Sequence, residues 1–338
     1  MRYIFNLLFI IVIILLSCKT SDEPLYNENE PDYILQTRLK EYEYIKNQFY
    51  LVDTYYQSTF ESSFDPTTMQ WIVNDPGKLV DQLDVWINDQ PNSPYSLPAW
   101  AVLNPNLIDP DSVYDLPVIR CQNVYGFFRR LDVSEYTYDK YRGFFYLKRP
   151  LSDSDLLAIA YSNKAGEKCG MLWQEIVKYP NQIPILKLIK DEHMTPYCPT
   201  WPLMMQNVYY MGVQRVSHEG FDVKVFYTKT GEDQSIQSVG DQLSFMYLLG
   251  LDRLDDTGNL IIGGDNKLDY LVITIFDRIN GYILFPSLRP FDPQQSYKFK
   301  IDNSLQVDIY NTIDENTWYT NHKFDIQISI LDTLKLED

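Results

Sequence analysis

From Leu7 to Leu16 every position is apolar, and at Lys19 the chain turns mostly polar as far as Pro31. Beyond Pro31 the apolar positions follow two rhythms. From Ile34, the residues Leu35, Leu39, Tyr42, Ile45 and Phe49 recur at intervals of three and four, a spacing that predicts an opening helix passing into a strand over 49–60. Val80 to Asn88 alternates, with Leu83, Val85 and Ile87 on one side and Asp84, Trp86 and Asn88 on the other, predicting a strand with one buried face. After the Pro- and Asn-rich stretch 91–98, Ala99 to Leu103 returns as its partner, and Leu156 to Tyr161 and Gly220 to Thr228 read as further strands.

Two segments share one hairpin pattern. Tyr136-Thr137-Tyr138 leads through Asp139-Lys140-Tyr141-Arg142-Gly143 into Phe144 to Leu147, and Ile273 to Phe276 leads through Asp277-Arg278-Ile279-Asn280-Gly281 into Tyr282 to Phe285. Each puts a glycine where a reversing chain needs a positive φ. Between them, Trp201 to Met211 predicts a helix, with Thr200 as cap, Pro202 in the first turn and Gly212 past the end. Its Trp201, Met204, Met205 and Val208 form a core-facing stripe. Lys229 to Gly231 is a turn. The fold class expected is mainly β with a few helices, built of antiparallel hairpins and sheets, with no transmembrane barrel.

The apolar run Leu7–Leu16 is shorter than the roughly 18 to 20 residues needed to span a bilayer, and with Arg2 before it reads as an export signal. It ends in Leu15-Leu16-Ser17-Cys18, which resembles the bacterial lipobox: residues 1–17 form a cleaved signal, Cys18 carries a diacylglycerol anchor, 18–31 is a polar tether and 32–338 is the folded region. No aspartate follows Cys18, which implies the outer membrane, with the cell surface favoured over the periplasmic face.

Asp and Glu number 46 against 29 Lys and Arg, a net charge of −17 that disfavours nucleic acid as a partner. The 27 Tyr and 17 Phe suit pleated, half-buried surfaces. Beyond Cys18 only Cys121, Cys169 and Cys198 remain, so one internal disulfide is the maximum. The expected pair is Cys169 with Cys198, which flank one segment.

Over roughly 80–290 the chain resembles, collinearly, a segment of the SprA (Sov) family of type IX secretion and gliding translocons. The resemblance rests on Leu83 to Asn88, Ser134 to Thr137 with the hairpin ending Gly143-Phe144-Phe145, Ala158 to Tyr161, Thr200 to Tyr209, Phe221 to Tyr227, Gly250-Leu251-Asp252-Arg253-Leu254 and Gly281 to Pro286. It implies a β-rich unit like the large non-membrane part of that family, and a role near protein export, with type IX secretion components as partners. The family protein is several times longer and forms its own barrel. Here lipid at Cys18 takes the barrel's place, which suggests an accessory subunit, or a split-off unit working beside a full-length translocon.

One cluster has ligand character: Asp252, Asp255, Asp256, Asn259, Asp265, Asn266 and Asp269, interspersed with Gly258, Gly263 and Gly264. It is either a solvated loop or a structural calcium site, since calcium takes several oxygens on flexible loops, although the spacing misses the EF-hand pattern. A zinc set of Cys169, His193 and Cys198 lacks Cys-x-x-Cys spacing. His193, His218 and His322 are the only histidines, and no nucleophile elbow, phosphate loop or His-Glu-x-x-His motif occurs. The expected function is non-catalytic contact with other proteins. The alternative is a surface lipoprotein binding glycans or nutrients, for which exposed tryptophans beside carboxylates in one groove would be the sign.

Overall fold

Five strands close into a small barrel. In the computed structural model, which describes residues 33–109, 112–113, 116–216, 221–228, 235–239, 243–292, 308–321 and 323–331, Val80–Asn88 pairs with Asn123–Arg130, which pairs with Ser96–Val102. Ser96–Val102 runs parallel to Ile185–Lys190, and Leu157–Asn163 joins Ile185–Lys190 back to Val80–Asn88. The barrel interior is one cluster of Trp86, Phe128, Leu186 and Leu188 with Ala99, Ala101, Ala158 and Ala160. Five strands leave little room inside, so two large rings are accommodated only where the facing positions are alanine. The alternate residues Leu83, Val85, Leu157 and Ile159 point outward into the larger core. Both faces of Val80–Asn88 are therefore buried around Val85 and Trp86, where alternation had promised one. The predicted return strand exists, as Ser96–Val102, but does not pair with Val80–Asn88, from which Asn123–Arg130 separates it.

The short helix Trp173–Lys178 closes one mouth of the barrel. Leu172 and Ile176 join the interior cluster, Trp173 N–H donates to Asp84 Oδ2 (2.7 Å), and the Trp173 and Trp86 rings stand 5.9 Å apart. Lys190 is wholly buried without a carboxylate partner. Its ammonium instead donates to the carbonyls of Asp153, Asp155 and Asp191 at 2.7 to 3.2 Å, which satisfies all three of its protons.

The segment 33–40 is a strand, Tyr33–Lys40, and not the opening helix expected. Its partner is Phe324–Leu331, which also pairs antiparallel with Phe221–Thr228 on its other side; Ile326 thus lies between Leu39 and Val225. The three-and-four rhythm mixed this strand with Tyr42, Ile45 and Phe49, which lie beyond it. Asp53 N-caps the helix Thr54–Thr59, so the expected strand over 49–60 shortens to Phe49–Leu51. At the end of the first strand the buried Glu41 carboxylate accepts from Lys323 N–H and Phe324 N–H, and burial pushes its pKa up to about 8 against the pull of those amides.

Both hairpins form, over Tyr136–Asp139 with Phe144–Leu147 and over Phe276–Asp277 with Tyr282–Leu284, although the first arm expected over Ile273 to Phe276 shortens because 273–275 are turn, with Ile275 N–H and Phe276 N–H both donating to Val272 O. Their turns share one chemistry. Asp139 Oδ1 accepts from Tyr141 N–H and Arg142 N–H, Asp277 Oδ1 accepts from Ile279 N–H and Asn280 N–H, and Gly143 (φ 65°) and Gly281 (φ 74°) take the left-handed position. The stretch 201–211 is not a helix. A single turn, Trp201–Leu203, gives way to the strand Val208–Tyr210, because Met204 bridges to Tyr50 and Met205 N–H donates to Phe49 O. Its Trp201, Met204, Met205 and Val208 are nevertheless core.

The disulfide joins Cys121 and Cys198, not Cys169 and Cys198. The turn carrying Cys121 is docked on the 191–198 loop by Cys121 N–H to Asp191 and by Arg120 to His193 O (3.0 Å), whereas Cys169 is paired across from Tyr161 on the barrel strand Leu157–Asn163. Non-reducing peptide mapping is expected to recover Cys121 linked to Cys198. Cys169, whose thiol burial pushes up to about 11, is expected to alkylate only on denaturation. A Cβ on residue 143 would stand 2.0 Å from the ring of Tyr56, whose hydroxyl is tied to Lys78 O. Gly143→Ala is therefore expected to cost about 1–3 kcal/mol in a urea melt.

Candidate functional site

The acidic loop begins where Ser244 caps the short helix Phe245–Leu248, its Oγ accepting from Tyr247 N–H, and where Gly250 (φ 80°) turns the chain back. Two of its aspartates face inward. Asp252, with no exposure, accepts from Asp265 N–H at Oδ1 (2.8 Å) and from Asn266 N–H and Ser244 Oγ–H at Oδ2 (3.0 and 3.3 Å). Asp269 accepts from Leu254 N–H at Oδ1 (2.9 Å) and Arg253 N–H at Oδ2 (2.8 Å). Each carboxylate staples one arm of the loop to the other. Gly264 is required by this packing, since a Cβ there would lie 2.2 Å from Asp252 Oδ2.

The other residues of the set are used locally. Asp255 Oδ1 accepts from Thr257 N–H, Thr257 Oγ1–H and Asn259 N–H, forming a turn; Asp256 pairs with Lys267 at 2.6 Å; Asp265 Oδ1 accepts from Lys267 N–H (3.0 Å). Asn259 Nδ2 donates to Thr257 Oγ1 (2.6 Å). The seven polar residues thus share a loop without sharing a centre, and among the described residues no three His, Cys, Asp or Glu side chains converge as a metal would need. Burial raises the pKa of both inner aspartates, that of Asp269 to about 6.

Beside these staples lies a cleft of about 260 Å³, lined by Asp255, Asp256, Asp265 and Lys267 over Leu268 and Leu271. The same stretch of chain, 252–279, also carries exposed aliphatic side chains. Leu260, Ile262, Leu271, Ile273 and Ile279 are all more than half exposed, with Ile262 at 96%. Leu260, Ile262 and Leu271 escaped the sequence reading because acidic residues and glycines around them mark a loop, and Ile273 was read as part of a hairpin arm; the runs Leu260-Ile261-Ile262 and Leu271-Val272-Ile273 were the available signal.

The zinc set is dispersed: Cys198 is in the disulfide, Cys169 is a free thiol, and His193 Nδ1 lies 2.6 Å from Asp153 Oδ2. Cys18, the signal, the tether, His218 and His322 lie outside the described residues. No helix among the described residues is long and apolar enough to cross a membrane, which says nothing about strands. No protein-family model and no curated protein matches the chain.

Folded Asp269 keeps its proton up to about pH 6, while the unfolded side chain releases it near 3.8, and for Glu41 the corresponding limits are about 8 and 4.5. The folded state therefore binds more protons across this window, so stability falls as pH rises from about 4 to about 8. Melting temperatures across pH 4 to 8 are expected to decline, and Asp269→Asn to flatten the part of the slope below pH 6.

Proposed function

We propose that this chain is a lipid-anchored, non-catalytic accessory of type IX protein secretion and gliding motility, held to the outer membrane by Cys18 and working through contact with other proteins. The observation that carries the reading is the aliphatic surface around the 252–279 loop. Exposed Leu and Ile side chains gain by being covered with another protein's apolar surface, whereas a sugar ring is recognised by stacking on aromatic faces.

The tryptophans speak against the glycan alternative. Of the six, Trp86, Trp100, Trp201 and Trp318 are buried. Trp71 and Trp173 are half-buried beneath the guanidinium groups of Arg142 (5.0 Å) and Arg130 (4.7 Å). None of the six is exposed.

Affinity purification from native outer membranes through a C-terminal tag is expected to recover secretion components. Ile262→Asp with Ile273→Asp is expected to abolish that recovery while leaving the melting temperature within a degree or so, as both positions are exposed. Cys18→Ala is expected to move the protein to the soluble fraction. Recovery of carbohydrate-uptake proteins alone would end the proposal.

A further inference from the structure

A cleft of about 530 Å³ lies away from the acidic loop, at the seam between the barrel and the hairpin Tyr136–Asp139 with Phe144–Leu147. Its apolar part consists of Ile87 and Leu131 from the barrel side and Leu147 and Leu151 from the hairpin side. The walls are fixed by backbone hydrogen bonds: Leu131 N–H to Val85 O, Leu147 N–H to Gln48 O, Lys148 N–H to Glu135 O and Leu151 N–H to Asn47 O, all within 2.8 to 3.0 Å. The cleft is therefore built in advance of any ligand.

Its charge is opposite to that of the whole molecule. In a chain of net charge −17, three cations, Arg129, Lys148 and Arg149, line it with a single carboxylate, Glu135. That carboxylate is spent: its two oxygens accept from both terminal nitrogens of Arg129 at 2.9 and 3.1 Å, and Oε2 also accepts from Asp132 N–H. Arg129 is thereby committed to the fold. Lys148, whose ammonium sits 5.1 Å from the Tyr146 ring centre, and Arg149 form no ion pair among the described residues. Both side chains are exposed at the rim.

We propose that this cleft binds a small amphiphile, an apolar chain ending in a carboxylate or phosphate, with the chain on the half-buried Ile87 and Leu151 over the buried Leu131 and Leu147 and the anionic head between Lys148 and Arg149. The preformed volume falls within the range of small-ligand sites, and a guanidinium beside an ammonium suits either head group. The inference is independent of the secretion reading, since it uses a different surface and a different kind of ligand.

The test is isothermal titration of the mature chain with decanoate and with decyl phosphate, below their micelle concentrations, and with decanol and acetate as partial ligands. Saturable binding of one or both amphiphiles, with decanol and acetate weaker by on the order of tenfold, is expected, and the tighter of the two names the head group. Lys148→Glu with Arg149→Glu is expected to weaken binding by roughly tenfold or more with an unchanged melting temperature. Failure of both amphiphiles to bind, equal affinity for decanol, or unaltered affinity in the double variant would overturn the proposal.

Discussion

Closure of the five-strand barrel is the constraint on which the rest of the molecule depends. The seam between Val80–Asn88 and Leu157–Asn163 turns a sheet with edges into one without, and fixes which residues face the narrow interior. The alanines at 99, 101, 158 and 160 are a consequence of that radius, and they leave the larger aliphatic residues at alternate positions to face outward. The outward faces of Leu83, Val85, Leu157 and Ile159 then form one wall of the main core, against which the aromatic interior around Tyr50, Phe145 and Tyr209 assembles. The hairpins, the N-terminal strand and the acidic loop are all organised on that wall or on what rests against it.

Elements specified by neighbouring residues were legible in the sequence, and those specified by distant ones were not. The two Asp-x-x-x-Gly turns carry their own hydrogen-bonding groups, so both hairpins could be read locally. Val80–Asn88 and Phe221–Thr228 alternate strongly enough to be placed within a residue. Tyr33–Lys40 could not be, because its partner lies nearly three hundred residues away and its own apolar spacing also suits a helix. The 201–211 stretch failed for the same reason: pairing of Met204 with Tyr50 overrides the helical spacing. Cysteine pairing depended on the docking of the 119–123 turn onto the 191–198 loop, which no spacing reveals.

The acidic loop shows how composition and chemistry can diverge. Its aspartates were conspicuous as ligand candidates, yet each oxygen-rich side chain is matched to a backbone amide, a hydroxyl or Lys267. The loop spends its carboxylates on its own shape and leaves its surface to aliphatic side chains. The cationic cleft was the reverse case. Lys148 and Arg149 are neighbours after the hairpin and unremarkable in the sequence, and only the packing of the hairpin against the barrel brings them to one cleft with Arg129.

The sheet that contains Phe324–Leu331 has a consequence for the order of events in the cell. Phe324–Leu331 is synthesised after both of the strands it joins, so Tyr33–Lys40 has no strand to pair with, and Phe221–Thr228 only the two-residue Ser235–Ile236, until that segment has emerged. Contacts of such long range form slowly, because a large loop must close first. A chain emerging start-first from the ribosome thus holds this sheet open for most of its synthesis, and the first described strand waits for one of the last before it is covered on that side.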